Sequence, residues 1–500
     1  MRILYIDIDS LRPDHLSCYG YHRATSPAID AIAREGMRFN ACHTPDAPCL
    51  PSRTAFYSGR FGIQTGVVGH GGTAAQPKVQ GTGRGFRDDF GDFGLARQLQ
   101  QRGLHTAMVS PFGQRHAAHW FYAGFNEIHN TGQGGMESAE HVMPVVNRWF
   151  ADNAARDNWY MHINFWDPHT PYRAPASYGD PFAKTPLPAW LDNDEVIARH
   201  KPMAGPHTAL DFSMYNDATS AAYPRSPGAI TDRATMRRVI DGYDTGVKYV
   251  DDQVAAIVAH LRQAGVYDET AIIISADHGE NFGELGIYGE HGTADVGTCR
   301  IPLIIKWPGG KRGTDDRLLY NLDLAPTLMD LLKGDKPALW DGVSFAGLIA
   351  DGHTTSPARE DIVISQCCHV CQRSVRFGPW LYIRTYHDGF HLFPGEMLFN
   401  LDTDPHEQND IAGKHPDVCR EGSWRLSRWH DAQMQKMATT ANDVVDPLWT
   451  VMREGGPFHA RLQAPGQPGN LANLKTYIER LEQTGRSDGA AILRQRYNIK

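Results

Sequence analysis

The stretch Cys49-Leu50-Pro51-Ser52-Arg53 contains the residue types and spacing best suited to chemistry in this sequence. Proline is favoured in the first turn of an α-helix, so Pro51 predicts that a helix begins near Cys49. The free amide groups and the dipole of a helix N-terminus favour a bound anion. A cysteine placed there is suited to meet a sulfate or a phosphate, and the alternative is a cysteine that only packs in the core.

Acidic and histidine side chains follow two apolar segments of strand length. Residues 3–8 are followed by Asp9, and residues 270–275 are followed closely by Asp277 and His278. In open α/β sheets, ligands bind outside the carboxyl ends of the strands, so we expect these side chains to converge. Alone, Asp9 is equally compatible with an acid that caps a loop. For Asp277 and His278 the alternative is a structural hydrogen-bonded pair.

The elements that must position these residues are predicted from the hydrophobic period. Between residues 239 and 261 apolar side chains recur at helical spacing, and Gly265 follows as a helix stop. This helix and the strand after it predict helices packed on a mostly parallel sheet. Short strand-like segments at 374–377 and 380–384 predict a small antiparallel sheet. A polar segment rich in Gly, Pro and Thr predicts a domain boundary near residue 355, which separates 1–355 from 356–500.

Composition bounds the class of protein. The 500 residues are 41% hydrophobic and 21% charged with a formal net charge of −8, which favours a globular enzyme over a nucleic-acid-binding protein. No apolar run reaches the roughly 18 residues that a membrane span needs. The N-terminal residues lack the apolar core of a signal peptide, so we expect a cytoplasmic chain, although a secreted chain that has lost its signal would look the same. The cysteine spacing is not that of a disulfide scaffold, so we expect mostly reduced thiols.

The cysteine segment resembles the Cys-x-Pro-Ser-Arg signature of the type I sulfatase family, in which a maturation enzyme oxidises the cysteine, here Cys49, to formylglycine. One hydroxyl of the aldehyde hydrate then attacks sulfur, and the other expels sulfate as the aldehyde reforms. The resemblance implies an alkaline-phosphatase-like α/β fold with a large, mostly parallel sheet flanked by helices, plus a small C-terminal domain with a short antiparallel sheet. It also implies hydrolysis of a sulfate ester, or of an N-sulfamate, on a saccharide or a small organic sulfate.

The same resemblance implies a divalent metal ion, held by Asp9, Asp277, His278 and an oxygen of the modified Cys49. Such an oxygen-rich set suits calcium, which we expect here, with manganese and magnesium as alternatives. The ion would polarise the sulfate group and align it with the nucleophile. Ser10 stands where relatives commonly have a second acid, so only Asp9 carries over from that element.

Further site residues follow from the resemblance. The segment 169–172 resembles the family's His-x-Pro-Tyr element, which implies that His169 contacts the sulfate and protonates the leaving oxygen. Arg53 is implied to fix the hydrate. The segment after residue 109 lacks an expected lysine, and Arg115 and His116 are the candidate replacements, as a cation for the sulfate and as a base. His291 stands where many relatives have a sulfate-binding lysine.

Two other functions stay open. A phosphonate monoester or phosphodiester hydrolase shares the formylglycine and the metal scaffold, and the single acid at Asp9 resembles that branch. An inactive protein that binds sulfated ligands is the second alternative, and the intact Cys49 and Arg53 argue against it. Expected partners are the sulfated substrate and the maturation enzyme, and a homo-oligomer is left open. Trp120, Trp166 and the Pro- and Ala-rich segment 171–230 are candidates for a platform under a sugar ring.

Overall fold

The computed structural model describes residues 1–79, 81–82, 85–86, 88–208, 210–211, 223–440, 443–454, 456 and 469–499. The strands of this part of the chain are β1 (Arg2–Ile8), β2 (Met37–His43), β3 (Asp46–Ala47), β4 (Gly81–Thr82), β5 (Gly85–Phe86), β6 (His105–Val109), β7 (Glu127–His129), β8 (Trp159–Phe165), β9 (Thr270–Ser275), β10 (Arg300–Lys306), β11 (Gly313–Asp315), β12 (Leu319–Tyr320), β13 (Asp361–Gln366), β14 (Cys371–Phe377), β15 (Trp380–His387) and β16 (Glu396–Asn400). The helices are α1 (Pro27–Arg34), α2 (Cys49–Ser58), α3 (Gly62–Thr65), α4 (Asp89–Phe93), α5 (Leu95–Gln101), α6 (Phe112–Arg115), α7 (Ala139–Asn153), α8 (Asp194–His200), α9 (Arg233–Gln263), α10 (Val296–Cys299), α11 (Leu324–Leu331), α12 (Ala346–Ala350), α13 (Pro416–Thr440), α14 (Pro447–Arg453), α15 (Gly469–Gln483) and α16 (Ser487–Arg496).

The large sheet has the strand order β11-β2-β10-β9-β1-β8-β6-β7, with β12 also paired to β2. Strand β1 lies at its centre and runs parallel to both β8 and β9. Strand β6 continues the parallel arrangement beyond β8, whereas β10 runs antiparallel to β9 and β2. Every residue of β1, β8 and β9 is buried, as expected of strands covered on both faces. The mostly parallel sheet predicted from the sequence is confirmed, with β10 as the antiparallel exception.

Helix α9 shows why the hydrophobic period predicted it. Its N-cap, Asp232, accepts a hydrogen bond from the Thr235 amide, which satisfies one of the free donors of the first turn. It packs against α1 and α7. Its buried apolar side chains recur at helical spacing, at Met236, Val239, Ile240, Tyr243, Val247, Val250, Val254, Ile257 and Leu261. Each large side chain stabilises the fold by roughly 1.5–3 kcal/mol through burial.

The small sheet has the order β16-β15-β14-β13-β3. Strands β13 to β16 pair antiparallel, as predicted, whereas β3 joins β13 in parallel through Ser365 beside Asp46 and Gln366 beside Ala47. Strand β3 ends two residues before helix α2, so the small sheet reaches the segment that carries the cysteine motif. Strand β3 belongs to the first predicted domain but completes the sheet of the second. The division of the chain at residue 355 remains a prediction.

Two further sequence expectations concern the cysteines and membrane spans. None of the eight cysteines forms a disulfide. Among the described residues, no helix combines the length with the apolar character needed to cross a bilayer.

Candidate active site

The predicted site residues meet at one edge of the large sheet. Asp9 follows β1, Asp277 follows β9 by two residues, His169 follows β8 and Arg115 lies on α6 just after β6. Because these four strands run parallel, the segments after them all leave from the same edge. The convergence expected from the sequence is therefore what the fold produces.

Cys49 is the first residue of α2, as Pro51 predicted, and its side chain is 1% exposed. The helix is fixed to the sheet by Ser52, whose hydroxyl donates to the Asp277 carbonyl at 2.6 Å. The Cys49 Sγ atom lies 3.0 Å from His278 Nε2. Burial, together with the charges of Asp9 and Asp277, raises the pKa of the thiol well above its ordinary value.

Arg53 lies one helical turn after Cys49 and joins three carboxylates. Its Nε donates to Asp7 Oδ2 at 2.7 Å and its Nη1 to Asp277 Oδ2 at 2.6 Å, while Nη2 lies 3.1 Å from Asp9 Oδ2. Burial opposes the charged guanidinium, but the carboxylates outweigh it and raise the pKa of Arg53 well above its usual range. Arg53 therefore holds the three carboxylates in one arrangement beside the helix that carries Cys49.

Asp7 is a residue that sequence reasoning missed. It lies on β1 two positions before Asp9, is buried, and accepts from Arg53 as well as contacting His162 Nε2 at 3.2 Å. Successive side chains of a strand alternate between its faces, so residues two apart share a face. This two-residue period could have identified Asp7, because it places Asp7 on the same face of the chain as Asp9.

The donor set fits a divalent metal ion. Asp9, Cys49, Asp277 and His278 each offer a ligand atom, and these atoms all lie within 4.8 Å of one another. The oxygens Asp7 Oδ1 and Asp9 Oδ2 accept no hydrogen bond from any described residue, although both are buried. Three carboxylates beside one guanidinium leave two negative charges, and buried charge of this kind is costly without a counter-ion.

Two local contacts orient these ligands. His278 Nδ1 donates to the Gly279 carbonyl at 2.7 Å, which leaves the lone pair of Nε2 facing Cys49 and Asp277. Ser10, which stands where a second acid was expected, has φ 61° and donates its amide to Asp277 Oδ1 at 3.2 Å. The backbone amide at this position therefore orients the Asp277 carboxylate.

His169 lies beside the carboxylates with one nitrogen committed. Its Nδ1 donates to the Thr170 carbonyl, so Nε2 faces the site and lies 3.8 Å from Asp9 Oδ1. Glu280 fixes this loop by accepting from the Thr170 amide at 3.1 Å and from the Tyr172 hydroxyl at 2.6 Å. Burial lowers the pKa of His169 to about 3, despite the opposing charge of Asp9. An anion bound beside Nε2 would raise that pKa, which the predicted acid role requires.

His291 also enters the site. Its ring stacks on that of His278 with centroids 4.4 Å apart, and lies 4.8 Å from the ring of His169. Its Nδ1 is buried without a hydrogen-bond partner among the described residues. Burial, and then the neighbouring histidines, lower its pKa well below the ordinary value, so the imidazole is neutral at pH 7. The position at which the resemblance implies a charged lysine in many relatives is therefore occupied here by a neutral imidazole.

Arg115 and His116 lie at the outer border of the site and are only partly buried. Arg115 donates to the Gly135 carbonyl at 2.9 Å and lies over the Trp166 ring at 5.2 Å. Burial and the charge of Arg115 lower the pKa of His116 to about 3. Among the described residues Arg115 forms no ion pair with a carboxylate within 4.0 Å, so its charge is available to an anion.

Sequence reasoning missed Arg173 and misplaced Trp166. Arg173 donates to the Trp166 carbonyl at 2.9 Å, and burial followed by the charge of Arg115 lowers its pKa to about 10. Trp166 has no exposed surface and so cannot be a platform for a sugar, whereas Trp120 is partly exposed. The burial of Trp166 follows from its place directly after the central strand β8. Of the predicted 171–230 segment, residues 209 and 212–222 lie outside the described residues.

The chain has an alkaline-phosphatase-like α/β fold, with buried carboxylates at the carboxyl edge of its large sheet. The family described as "Sulfatase" matches residues 2–334, and the chain belongs to this family of sulfuric ester hydrolases. A second match, to residues 283–419, is described as "N-sulphoglucosamine sulphohydrolase, C-terminal". The predicted family is confirmed.

Individual relatives are distant in sequence. The N-acetylglucosamine-6-O-sulfatase of Bacteroides thetaiotaomicron is 25% identical over 82% of this chain and 82% of its own length. The solved structure of BT4656 in complex with its substrate D-glucosamine-2-N,6-O-disulfate has a TM-score of 0.67 at 19% identity, covering 87% of this chain and 98% of that one. The phosphonate monoester hydrolase of Agrobacterium radiobacter has a TM-score of 0.66 at 19% identity, covering 86% and 96%. These structural similarities confirm the predicted fold.

Proposed function

We propose that this sulfatase removes a sulfate group from a saccharide, using a formylglycine made from Cys49 and a divalent metal ion, with calcium as the expected ion. The observation that carries the proposal is the grouping of Cys49 with Asp9, Asp277 and His278 within 4.8 Å. The cysteine stands first in a helix, where backbone amides favour the approach of an anion. The formylglycine would supply the attacking hydroxyl, and the ion would draw charge from a sulfate oxygen.

The protein's own residues hold this arrangement fixed. Arg53 spans Asp7, Asp9 and Asp277, so the carboxylates cannot separate without breaking buried ion pairs. Ser52 ties the cysteine helix to the strand end that carries Asp277. Fixed dipoles and charges of this kind stabilise a transition state without reorganising during the reaction.

His169 is the proposed proton donor to the leaving oxygen. Its Nδ1 proton is committed to the Thr170 carbonyl, so only Nε2 faces the reacting group. Burial keeps the imidazole neutral in the free protein, and the negative charge of a bound sulfate ester supports its protonation. Arg115, which lacks a carboxylate partner among the described residues, is the proposed cation for the sulfate, with His116 as a neutral base beside it and His291 as a further contact.

The saccharide part of the proposal is supported by relatives. A relative named for action on N-acetylglucosamine 6-O-sulfate and a similar structure that contains a disulfated glucosamine both favour sulfated amino sugars. The match to the C-terminal part of an N-sulphoglucosamine sulphohydrolase keeps an N-sulfamate among the substrates to test.

A phosphonate monoester hydrolase is the second candidate. It is favoured by Ser10, which replaces the second acid after β1, and by the similarity to the solved phosphonate monoester hydrolase. The two functions differ in the group transferred, so the ratio of kcat/KM values for a phenyl sulfate and a phenyl phosphonate separates them.

The first experiment is peptide mass spectrometry of the Cys49 segment after co-expression with a formylglycine-generating enzyme. We expect a loss of about 18 Da at Cys49 alone, as conversion of the thiol to the aldehyde requires. The modified protein is then assayed on glucosamine 6-sulfate, glucosamine N-sulfate and the two phenyl esters, before and after metal chelation. An unmodified thiol, or activity that survives complete metal removal, would contradict the proposed mechanism.

A further inference from the structure

A second group of potential metal ligands shares Cys49 with the carboxylate set. Cys49, His169 and His291 each offer one ligand atom, these atoms all lie within 4.8 Å of one another, and all three residues are buried. This group contains one sulfur and two imidazoles and no carboxylate. Its ligand chemistry is therefore softer than that of the group formed with Asp9 and Asp277.

The two imidazoles of this group present nitrogens that are free to bind. His169 donates through Nδ1 to the Thr170 carbonyl, which fixes the tautomer with a lone pair on Nε2. The nearest Asp9 oxygen is 3.8 Å from that nitrogen, too far for a hydrogen bond. His291 has a buried Nδ1 without a partner among the described residues. A buried polar atom of this kind is costly unless a ligand satisfies it.

Asp277, in the carboxylate set, is already engaged by the protein. Asp277 Oδ1 accepts from the amides of Ser10 at 3.2 Å and His278 at 2.9 Å, and its Oδ2 accepts from Arg53 at 2.6 Å. A soft ion at this set would compete with the guanidinium for the same oxygens. At Cys49, His169 and His291 it would meet no guanidinium among the described residues, and at Cys49 Sγ it would displace the 3.0 Å contact with His278 Nε2.

We propose that the unmodified protein, in which Cys49 keeps its thiol, binds Zn²⁺ through Cys49, His169 and His291, a site that shares only Cys49 with the hard-metal site. One Zn–S bond and two Zn–N bonds form, and the thiol proton passes to solvent, so neither oxidation nor reduction occurs. Three protein ligands leave one coordination position open, as in zinc sites that admit water or substrate. His169 Nδ1 donates to the Thr170 carbonyl, so Nε2 already presents a lone pair and that ring need not lose a proton.

The zinc site has all three ligands only before Cys49 is converted to formylglycine. Conversion of Cys49 to formylglycine removes the sulfur, and two imidazoles alone make a weaker zinc site. Zinc on the thiol form would also occupy His169 Nε2, the nitrogen that faces the reacting group. Zinc binding therefore distinguishes the immature protein from the mature one. This difference does not depend on the hydrolysis proposed above.

The test uses the full chain made in a host without formylglycine-generating activity, with the Cys49 thiol confirmed by mass spectrometry. Co²⁺ replaces Zn²⁺ as a coloured probe and is titrated with calcium in excess, so that the carboxylate set is occupied. We expect a thiolate-to-cobalt charge-transfer band at one equivalent, displaced by one equivalent of Zn²⁺. The mature protein, which lacks the sulfur, should show no such band.

Matched variants locate the ion. Removal of metal-site residues outside the direct ligands commonly costs 10–100-fold in affinity, so His291→Gln and His169→Gln should each weaken cobalt binding by at least about 100-fold. Asp277→Asn, which changes no proposed zinc ligand, should not weaken cobalt binding by more than about threefold. Circular dichroism and cooperative unfolding verify that each variant folds.

Two results would overturn the zinc site. One is the absence of a charge-transfer band in the folded thiol form, and the other is a band that survives both histidine substitutions but disappears in Asp277→Asn. Neither result would bear on sulfatase activity, which is measured on the formylglycine form.

Discussion

The site has two regions that the protein builds in different ways. The floor consists of Cys49, Arg53, Asp9, Asp277 and His278, which are all buried and lie on helix α2 or directly after central strands. The rim consists of Arg115, His116 and Arg173, which lie on a short helix and a loop and are only partly buried. Regular elements of the large sheet and helix α2 hold the floor residues, whereas the rim residues lie on more exposed segments.

Arginine shows the difference most clearly. Arg53 in the floor contacts three carboxylates, so its charge is used to neutralise buried acid. Arg115 in the rim donates to a backbone carbonyl and has no carboxylate ion pair among the described residues. The same residue type is therefore structural in one region and available to a ligand in the other.

The largest effect is expected at the nucleophile of the floor. Cys49→Ala removes the precursor of the attacking group, and kcat/KM should fall roughly 10⁵-fold, as for nucleophiles of other hydrolases. Turnover of an aryl sulfate by the metal-loaded protein measures this. Cys419→Ala, a buried cysteine on α13, is the control and should stay within about threefold of the wild type. A Cys49→Ala protein that retains a hundredth of the activity would remove the cysteine from the mechanism.

His169, beside the floor, should show the next largest effect. Removing a general acid lowers the rate by about 10²–10⁴-fold, so His169→Gln should lower kcat by this factor on a sugar sulfate, whose leaving alcohol needs a proton. Nitrophenyl sulfate has a good leaving group and should lose much less. Equal losses on both substrates would assign His169 to binding rather than to proton transfer.

A pair of arginine substitutions compares floor and rim directly. In metal-free protein, Arg53→Gln removes the guanidinium that three buried carboxylates share and should lower the free energy of unfolding by about 3–5 kcal/mol. Arg115→Gln should change it by less than about 1 kcal/mol but raise KM by roughly 10–100-fold, since it removes a charged hydrogen-bond donor. Chemical denaturation and steady-state kinetics measure the two effects, and equal stability losses would abolish the distinction.

The smallest effect concerns the support of the floor. Burial raises the pKa of Asp46 on β3 to about 7, although the Gly62 amide donates to its Oδ2 at 2.7 Å and opposes that shift. Between its unfolded pKa and about pH 7 the folded carboxyl is protonated while the unfolded one is ionised, so stability falls as pH rises through this window.

Asp46→Asn keeps the acceptor but cannot titrate. It should remove about 2 kcal/mol of the decline in the free energy of unfolding between pH 5 and pH 7. Denaturation midpoints over this range measure it. A pH dependence identical to that of the wild type would mean that Asp46 is ionised throughout.

The floor was largely predictable from sequence, whereas in the rim Arg115 and His116 were candidates and Arg173 was missed. Asp9 and Asp277 follow apolar strands and Pro51 follows Cys49, so the local sequence indicates where these residues lie. Parallel pairing of the strands then brings Asp9 and Asp277 together. Asp7 was missed although the strand period contains it. Contacts such as Arg173 with the Trp166 carbonyl depend on loop paths that have no period, and the lowered pKa of His169 depends on burial by distant segments.

Strand β3 has a consequence for the order in which a newly made chain can complete its site. It pairs with Ser365 and Gln366, yet it stands immediately before the helix that begins at Cys49. Ribosomes add about 5–20 residues per second, so the cysteine segment waits roughly tens of seconds for its partner strand to be synthesised. We expect Cys49 to stay accessible to other enzymes during that interval and to become enclosed once the partner strand joins β3.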